Sequence, residues 1–288
     1  MQQSGSECEF SNSDSWVILS PIEQSIKRKI ESVGTPLKDW DINIYRGVLT
    51  GYNEAFIIST EKRDEILANC QTEDERARTA ELIRPILRGR DIKRYGYNWA
   101  NLWLINTHNG IRGKLERVHI EDYPAIKAHL DQYWDRISKR ADKGDTPYNL
   151  RNCAYLEDFS KPKILWKRVG SILRFCYNDN EALGLDSTCF AIGNNIEFVC
   201  CVLNTPMGHY LLKDAPKTGT GDLLISVQAV EPLKMPSVSH ELNKEFKRLL
   251  EIMSTNSSND IENEISQKIF NLYGLSCEEQ RYIDENFT

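Results

Sequence analysis

The sequence predicts an α+β fold in which mixed, largely antiparallel strands form a central domain and helical segments lie at the N- and C-terminal ends. Two features support this prediction. Short alternating or continuous apolar runs, typical of strands, recur between about residues 40 and 236. Near both ends, apolar residues instead recur at three- and four-residue intervals, as on one face of a helix. The chain has 288 residues and is 40% hydrophobic, so it can bury a sizeable core.

These patterns divide the chain into four segments. Residues 1–15 are a polar leader that we expect to be disordered, and residues 16–37 a connecting helix. Residues 38–238 form the central domain, and residues 239–288 an acidic helical attachment. The leader has neither a basic start nor an apolar core, so we expect no secretory signal. No apolar run approaches the ~20 residues that cross a bilayer, so we expect no membrane partner.

The connecting helix carries a start signal and a stop signal. Ser20 is a candidate N-cap, Pro21 takes the first helical position, and Glu23 completes a capping box. Gly34 and Pro36 end the helix.

Further helices follow from charge and spacing. Residues 61–82 are charged with helical spacing, and Pro124 begins a second helix. In that helix, apolar residues recur at helical intervals, namely Ile126, Leu130, Trp134 and Ile137. From about residue 239 to the end, the pattern is helical again, and Ile261, Ile265, Ile269 and Leu272 share one face.

The strands of the central domain are predicted from alternation and from apolar runs bounded by turns. A Gly51 turn separates the first strand from a second, more buried one. The predicted strand segments are WDINIYR (40–46), AFIIS (55–59), NLWLINTH (101–108), ILWKRV (164–169), ILRFCY (172–177), CFAIG (189–193), IEFVCCVLN (196–204) and LLISVQAVEPLKMP (223–236).

Charge is distributed unevenly along the chain. The formal net charge is −6, and residues 251–288 alone hold eight acids and two bases. The rest of the chain is therefore neutral overall, yet it contains two basic patches. Residues 84–94 carry five bases and one acid, and residues 161–174 carry five bases and no acid. Local patches of this kind, more than the total charge, indicate a surface for a polyanion.

Signals for catalysis or metal binding are weak. The eight cysteines form no C-x-x-C pair and the five histidines are scattered, so we expect packed, reduced thiols, as in a cytoplasmic protein, and no metal. KTGTGD (217–222) precedes a predicted strand and not a helix, so we interpret it as a flexible turn, not a phosphate cradle. Asp91-Ile92-Lys93 supplies half of a nuclease motif, but no Pro-Asp precedes it. We therefore predict no catalytic residue and no cofactor in this chain.

The first patch offers the strongest candidates for DNA contact. Arg88 and Arg90 flank Gly89, which lets a backbone approach closely, and Lys93 and Arg94 follow. Arginine suits bidentate contact with phosphate or with guanine. The alternative is a solvated basic face that pairs with nearby acids such as Glu81 and Asp91.

The second patch adds Lys163, Lys167 and Arg168 around Trp166. Strand alternation would place Lys163, Leu165 and Lys167 on one face, with Ile164, Trp166 and Arg168 on the other. For Trp166 the default interpretation is a core residue.

A third candidate is the turn in GVLTGYNEAF (47–56). If it joins two strands, its tip exposes Thr50, Tyr52 and Asn53, and these could stack on or hydrogen-bond to bases. Equally, Asn53 could close the turn by bonding to its own backbone.

Four segments, in this order, resemble one family: GVLTGYNEAF (47–56), RPILRGRDIKRY (84–95), YPAIKAHL (123–130) and KPKILW (161–166). They look like the TaqI-like C-terminal specificity domain, the target-recognition part of bacterial adenine-N6 DNA methyltransferases and of type IIG restriction-modification enzymes. The resemblance covers roughly residues 38–236.

The resemblance implies a DNA-recognition module that works with an N-terminal methyltransferase domain of the same polypeptide. That domain would carry the S-adenosylmethionine site and a polar-Pro-Pro-aromatic loop, and this chain has no Pro-Pro pair. The parent enzyme would be a site-specific adenine methyltransferase, in some members fused to an endonuclease. The alternative is a protein-interaction or structural domain without DNA contact, in which the basic patches pair with acidic segments such as residues 239–288.

Overall fold

The computed structural model describes residues 19–256 and 258–287. The leader expected at residues 1–15 and the first three residues of the connecting segment lie outside the described residues. The described helices are α1 (Pro21–Val33), α2 (Asn53–Phe56), α3 (Thr60–Ala68), α4 (Glu73–Leu82), α5 (Pro124–Asp131), α6 (Trp134–Ile137), α7 (Ile196–Asn204), α8 (Pro206–Leu211), α9 (Val227–Val230), α10 (His240–Thr255), α11 (Asn259–Leu272) and α12 (Cys277–Asn286). The described strands are β1 (Gly34–Pro36), β2 (Ile42–Arg46), β3 (Ile57–Ser59), β4 (Ile83–Leu87), β5 (Leu102–Ile105), β6 (Lys163–Lys167), β7 (Val169–Gly170), β8 (Phe175–Asn178), β9 (Leu183–Gly184), β10 (Thr188–Gly193), β11 (Leu223–Leu224) and β12 (Lys234–Pro236).

The fold is α+β, with helices at both ends of the described chain, as the sequence predicts. Its centre is an antiparallel sheet of four strands in the order β2-β10-β6-β8. A second sheet has the order β3-β5-β4-β9, and only its β4–β9 pair is parallel. Two short antiparallel pairs, β1–β12 and β7–β11, join segments that are far apart in the sequence.

The central sheet separates two hydrophobic cores. On β6, Ile164 and Trp166 belong to one core and Leu165 to the other. On β10, Ala191 and Phe190 divide in the same way. Successive side chains of a strand point to opposite faces, so a strand covered on both sides contributes to both cores. The predicted alternation of β6 and the buried interpretation of Trp166 are confirmed.

Helices cover one face of the central sheet. Helices α1, α7, α8, α10, α11 and α12 form the first core with it, and α10 packs along α7. On the opposite face, the second sheet and α2 to α5 supply the second core. In α11, Ile265 and Ile269 are fully buried, and Ile261 and Leu272 pack beside them, so the predicted apolar face does dock on protein.

The ends of the described chain are tied together by an ion pair. The Nζ atom of Lys29 in α1 lies 2.6 Å from a carboxylate oxygen of Glu279 in α12. Ser25 donates a second hydrogen bond to Glu279 at 2.7 Å, and the backbone N–H of Ser276 donates a third at 2.6 Å. Burial alone would raise the pKa of Glu279, but these hydrogen bonds lower it to about 2. At α1 itself, the predicted capping box of Ser20 and Glu23 is present.

One strand prediction is wrong. Residues 196–204 form helix α7, and eight of its nine residues are buried. A helix that is covered on all sides shows no 3.6-residue alternation, and its β-branched and aromatic residues then resemble a buried strand.

Other predicted strands are shorter than expected. Ala55 and Phe56 end helix α2, so strand β3 begins only at Ile57. The segment 223–236 contains two short strands with helix α9 between them. Among the described helices, none combines the length and apolarity needed to cross a membrane.

Candidate nucleic-acid interface

In the turn at residues 88–91, Arg88 is bonded to a carboxylate of the turn and Arg90 is exposed to solvent. The guanidinium of Arg88 donates to both carboxylate oxygens of Asp91, at 3.0 and 2.8 Å, and its backbone N–H donates at 2.8 Å. Asp91 is buried, so this carboxylate closes the turn from inside. Arg90 is exposed and, within the described residues, makes no side-chain hydrogen bond or ion pair. The alternative of pairing with a nearby acid is therefore realised for Arg88 and not for Arg90.

The two basic patches meet at Gly89. A Cβ atom at this position would lie 2.8 Å from Lys167 Cγ and 3.1 Å from the carbonyl oxygen of Ser187. The Gly89 N–H also donates to the Ser187 hydroxyl at 3.1 Å. The lack of a side chain thus lets Lys167 of β6 lie directly on the 88–91 turn. Lys167 is exposed, and no side-chain hydrogen bond or ion pair engages its ammonium within the described residues.

Arg46 and Arg168 are on the side of the central sheet that carries Cys189, opposite to Lys167. The Arg168 N–H donates to the Ser187 carbonyl at 3.0 Å, which holds the residue after β6 beside the same turn. Arg46, at the end of β2, lies 3.7 Å from the Asp186 carboxylate. Both arginines lie close enough to Cys189 to act on its thiol. Burial raises the pKa of Cys189 to about 11, and the positive charges of Arg168 and Arg46 act to lower it. We call the side chains of Arg90 and Lys167, with Ser187 beside Gly89, the basic surface.

Of the three further cations in the first two patches of the sequence prediction, Arg94 and Lys163 are engaged by other parts of the protein. The Arg94 guanidinium donates to the Asn204 carbonyl at 2.6 Å and also bonds to Glu262 of α11, so it faces the C-terminal helices. Lys93 is half-buried. Lys163 is fully buried, and its ammonium donates to the Asn180 carbonyl at 2.6 Å. Burial lowers the pKa of Lys163 to about 8.

The turn around Thr50 is part of the scaffold. Thr50 is 1% exposed, and its hydroxyl donates to the Asn53 side-chain oxygen at 2.5 Å. Its carbonyl accepts a hydrogen bond from the buried Arg140. Tyr52 is half-buried against Tyr133, with ring centroids 6.2 Å apart. The turn leads into helix α2 and not directly into a strand, so the expectation that Thr50 stands at an exposed tip is wrong; Asn53 is exposed.

Arg140 is a structural residue that the sequence did not reveal. Besides Thr50, its guanidinium donates to the carbonyls of Asn149, at 2.5 Å, and Pro147, at 3.2 Å, and it lies 4.2 Å from the Phe56 ring centroid. Burial lowers the pKa of Arg140 to about 10. No local pattern marks this role. Ser187 was missed for a similar reason, because only the tertiary structure brings it beside Gly89.

The described residues offer little for catalysis. Within residues 19–256 and 258–287, no three His, Cys, Asp or Glu side chains are placed to hold a metal ion. Asp91 of the partial nuclease motif is committed to Arg88. His129 is buried with Nε2 3.0 Å from the Ala55 carbonyl, and burial lowers its pKa. The 217–222 segment forms a turn that leads into β11.

The fold is similar to that of two solved restriction-modification enzymes. The type IIL enzyme MmeI, solved in complex with DNA, matches 88% of this chain with a TM-score of 0.59 and 10% sequence identity. The type IIG restriction endonuclease BpuSI matches 92% of it with a TM-score of 0.54 and 12% identity. The chain spans only 36% and 31% of these proteins. No family model matches the sequence, and no curated protein does.

Proposed function

We propose that this chain is the DNA-recognition module of a bacterial restriction-modification enzyme. It would hold one face of a duplex through the basic surface while a catalytic domain outside this chain acts on the bases. The likeness to parts of a type IIL and a type IIG enzyme supports this proposal at the level of the fold.

The observation that carries the proposal is the contact between Lys167 and Gly89. It merges two basic patches that are separate in the sequence into one surface. Both cations of this surface, Arg90 and Lys167, are exposed and have no carboxylate partner among the described residues. Unpaired cations around an exposed serine hydroxyl are suited to phosphate oxygens, which place a protein on DNA without reading the sequence.

The parent enzyme would supply the chemistry. By the family resemblance, an N-terminal adenine-specific methyltransferase domain of the same polypeptide would bind S-adenosylmethionine and take the target base out of the stack. An endonuclease fused to that domain would be consistent with the type II enzymes that share this fold. We place such an enzyme in the bacterial cytoplasm, with double-stranded DNA as its partner.

One observation favours the rival function, an interaction domain without DNA contact. Arg94 of the first basic patch pairs with Glu262 of the acidic C-terminal helices, so basic and acidic segments do associate in this fold. That pairing involves only Arg94, so the cations of the basic surface remain unpaired. The rival would therefore need an acidic partner protein to cover Arg90 and Lys167.

The salt dependence of DNA binding tests the proposal. Fluorescence anisotropy would give the affinity of the chain for a labelled duplex at several salt concentrations. Each phosphate contact contributes a slope of about 0.9 in a plot of log affinity against log salt. We expect Arg90→Ala and Lys167→Ala each to reduce the slope by about that amount and to weaken binding to all sequences alike.

Arg28→Ala is the matched control. Arg28 is an exposed arginine on α1, outside the basic surface, and its replacement should leave the slope unchanged. If the Arg90 and Lys167 variants keep both affinity and slope, the basic surface does not contact DNA. That result would favour an interaction domain without DNA contact.

A further inference from the structure

Ile172 is an apolar side chain that the fold leaves in solvent. It is 58% exposed, more than Trp134, Val33 and Leu115, the other exposed large apolar residues of the described chain. Its neighbour Leu173 is 5% exposed and belongs to the first core. Leu173 thus anchors the loop between β7 and β8, and Ile172 contributes nothing to that core.

The loop that carries Ile172 is fixed at both ends by backbone hydrogen bonds. On one side, β7 pairs with β11, and the Ile225 N–H donates to the Arg168 carbonyl at 2.8 Å. On the other side, Phe175 begins β8 and its carbonyl accepts from the Tyr95 N–H at 2.9 Å. Only residues 171–174 lie between these supports. A side chain on so short a loop is presented with little conformational entropy left to lose on binding.

Cations flank the loop that carries Ile172. Lys167 and Arg168 precede the loop, Arg174 ends it, and Lys167 Nζ lies 3.5 Å from where a Cβ would sit on Gly170. A single exposed apolar residue is common on protein surfaces and by itself identifies nothing. The cations near Ile172, however, make an apolar protein surface an unfavourable partner. An apolar protein surface laid over Ile172 would leave Lys167 desolvated without a partner, which is costly.

Duplex DNA suits both kinds of side chain at once. Phosphates along the rims of a groove can take the cations, and the major groove presents one apolar group on its floor, the C5 methyl group of thymine. That groove is about 12 Å wide and admits elements as large as an α-helix, so a four-residue loop can enter it.

We infer that Ile172 reads sequence by packing against a thymine methyl group in the major groove. This inference rests on the proposed function, because Lys167 must hold a flanking phosphate for the loop to enter the groove. It assigns specificity to a residue that carries no charge and no hydrogen-bonding side chain.

A thymine-to-uracil exchange tests the inference, because uracil lacks only the methyl group. Duplexes that the wild-type chain selects from a randomised pool would be made with thymine or with uracil. Loss of one buried methyl group corresponds to about a fourfold loss of affinity. We expect that ratio for the wild-type chain and a ratio near one for Ile172→Ala. The variant should match the wild-type chain on uracil duplexes and unfold at the same urea concentration.

The matched control is Val33→Ala, which removes an exposed apolar side chain outside the basic surface and should leave the thymine-to-uracil ratio unchanged. A wild-type ratio near one, a fourfold ratio that persists in Ile172→Ala, or a selected sequence without thymine would each overturn the inference. The proposed function would survive these results if Arg90→Ala and Lys167→Ala still weaken binding. If neither of those variants does so, the proposed function fails as well.

Discussion

Lys167 lies on the backbone of Gly89, with its Cγ 2.8 Å from the position that a Cβ would occupy there. This contact joins the turn after β4 to the end of β6. It makes one surface out of two stretches of sequence, and several measurable consequences depend on it.

Gly89→Ala should damage both stability and DNA binding. The added methyl group would collide with Lys167 Cγ and crowd the Ser187 carbonyl, which belongs to the backbone. We expect the free energy of unfolding in urea to fall by about 1–3 kcal/mol, as for other overpacked sites, and DNA affinity to fall with it. Gly219→Ala is the control because nothing lies within 4 Å of its Cβ position. Equal stability of the two variants would contradict the close packing.

Arg88 and Arg90 should separate into a structural and a binding residue. Arg88→Ala leaves the buried Asp91 carboxylate without its hydrogen-bond donors, and we expect a loss of about 1–3 kcal/mol in the free energy of unfolding. Arg90→Ala removes an exposed, unpaired side chain and should change stability by less than about 0.5 kcal/mol. Urea unfolding of both variants measures the difference. A stability loss for Arg90→Ala as large as that for Arg88→Ala would refute the division.

The Glu279 carboxylate should make stability depend on pH in the acid range. Its pKa is about 2 in the fold against 4.5 for the ordinary side chain. Since the folded value is lower, the stabilisation is fully present above pH 4.5 and is lost as the pH falls towards 2, up to about 3 kcal/mol. The stability advantage of wild type over Glu279→Gln in urea unfolding should therefore be smaller at pH 3 than at pH 5.5. An advantage of equal size at the two pH values would count against the ion pair with Lys29.

The buried Lys163 should also make stability rise with pH, in the alkaline range. Its pKa is about 8 in the fold and 10.5 ordinarily, so between these values the unfolded chain binds more protons than the folded one. The contribution of Lys163 to stability therefore rises with pH from about 8 to 10.5, by up to about 3 kcal/mol. Cysteines and tyrosines titrate in the same range, so the measurement is the difference between wild type and Lys163→Met. That difference should change between pH 7.5 and pH 10, and no change would mean that the amine is not desolvated.

Much of the local structure could be predicted from the sequence. The capping box at Ser20 and Glu23 and the two faces of β6 follow from short-range patterns, and the structure contains them. Helix α7 could not be predicted in this way. Its apolar residues surround the whole helix because protein covers it on every side, and periodicity carries information only where one face meets solvent.

The candidate interface, too, could be predicted only in part from the sequence. The sequence by itself determined which segments are basic, because charge and glycine are visible in the residues themselves. Only the tertiary structure decided which cations remain available. It buried Lys163, committed Arg88 to Asp91 and Arg94 to Glu262, and brought Lys167 onto Gly89 while Arg90 stayed in solvent. The physical reason is that burial and ion pairing depend on strand pairing and helix packing between residues far apart in the chain, which no short-range pattern encodes.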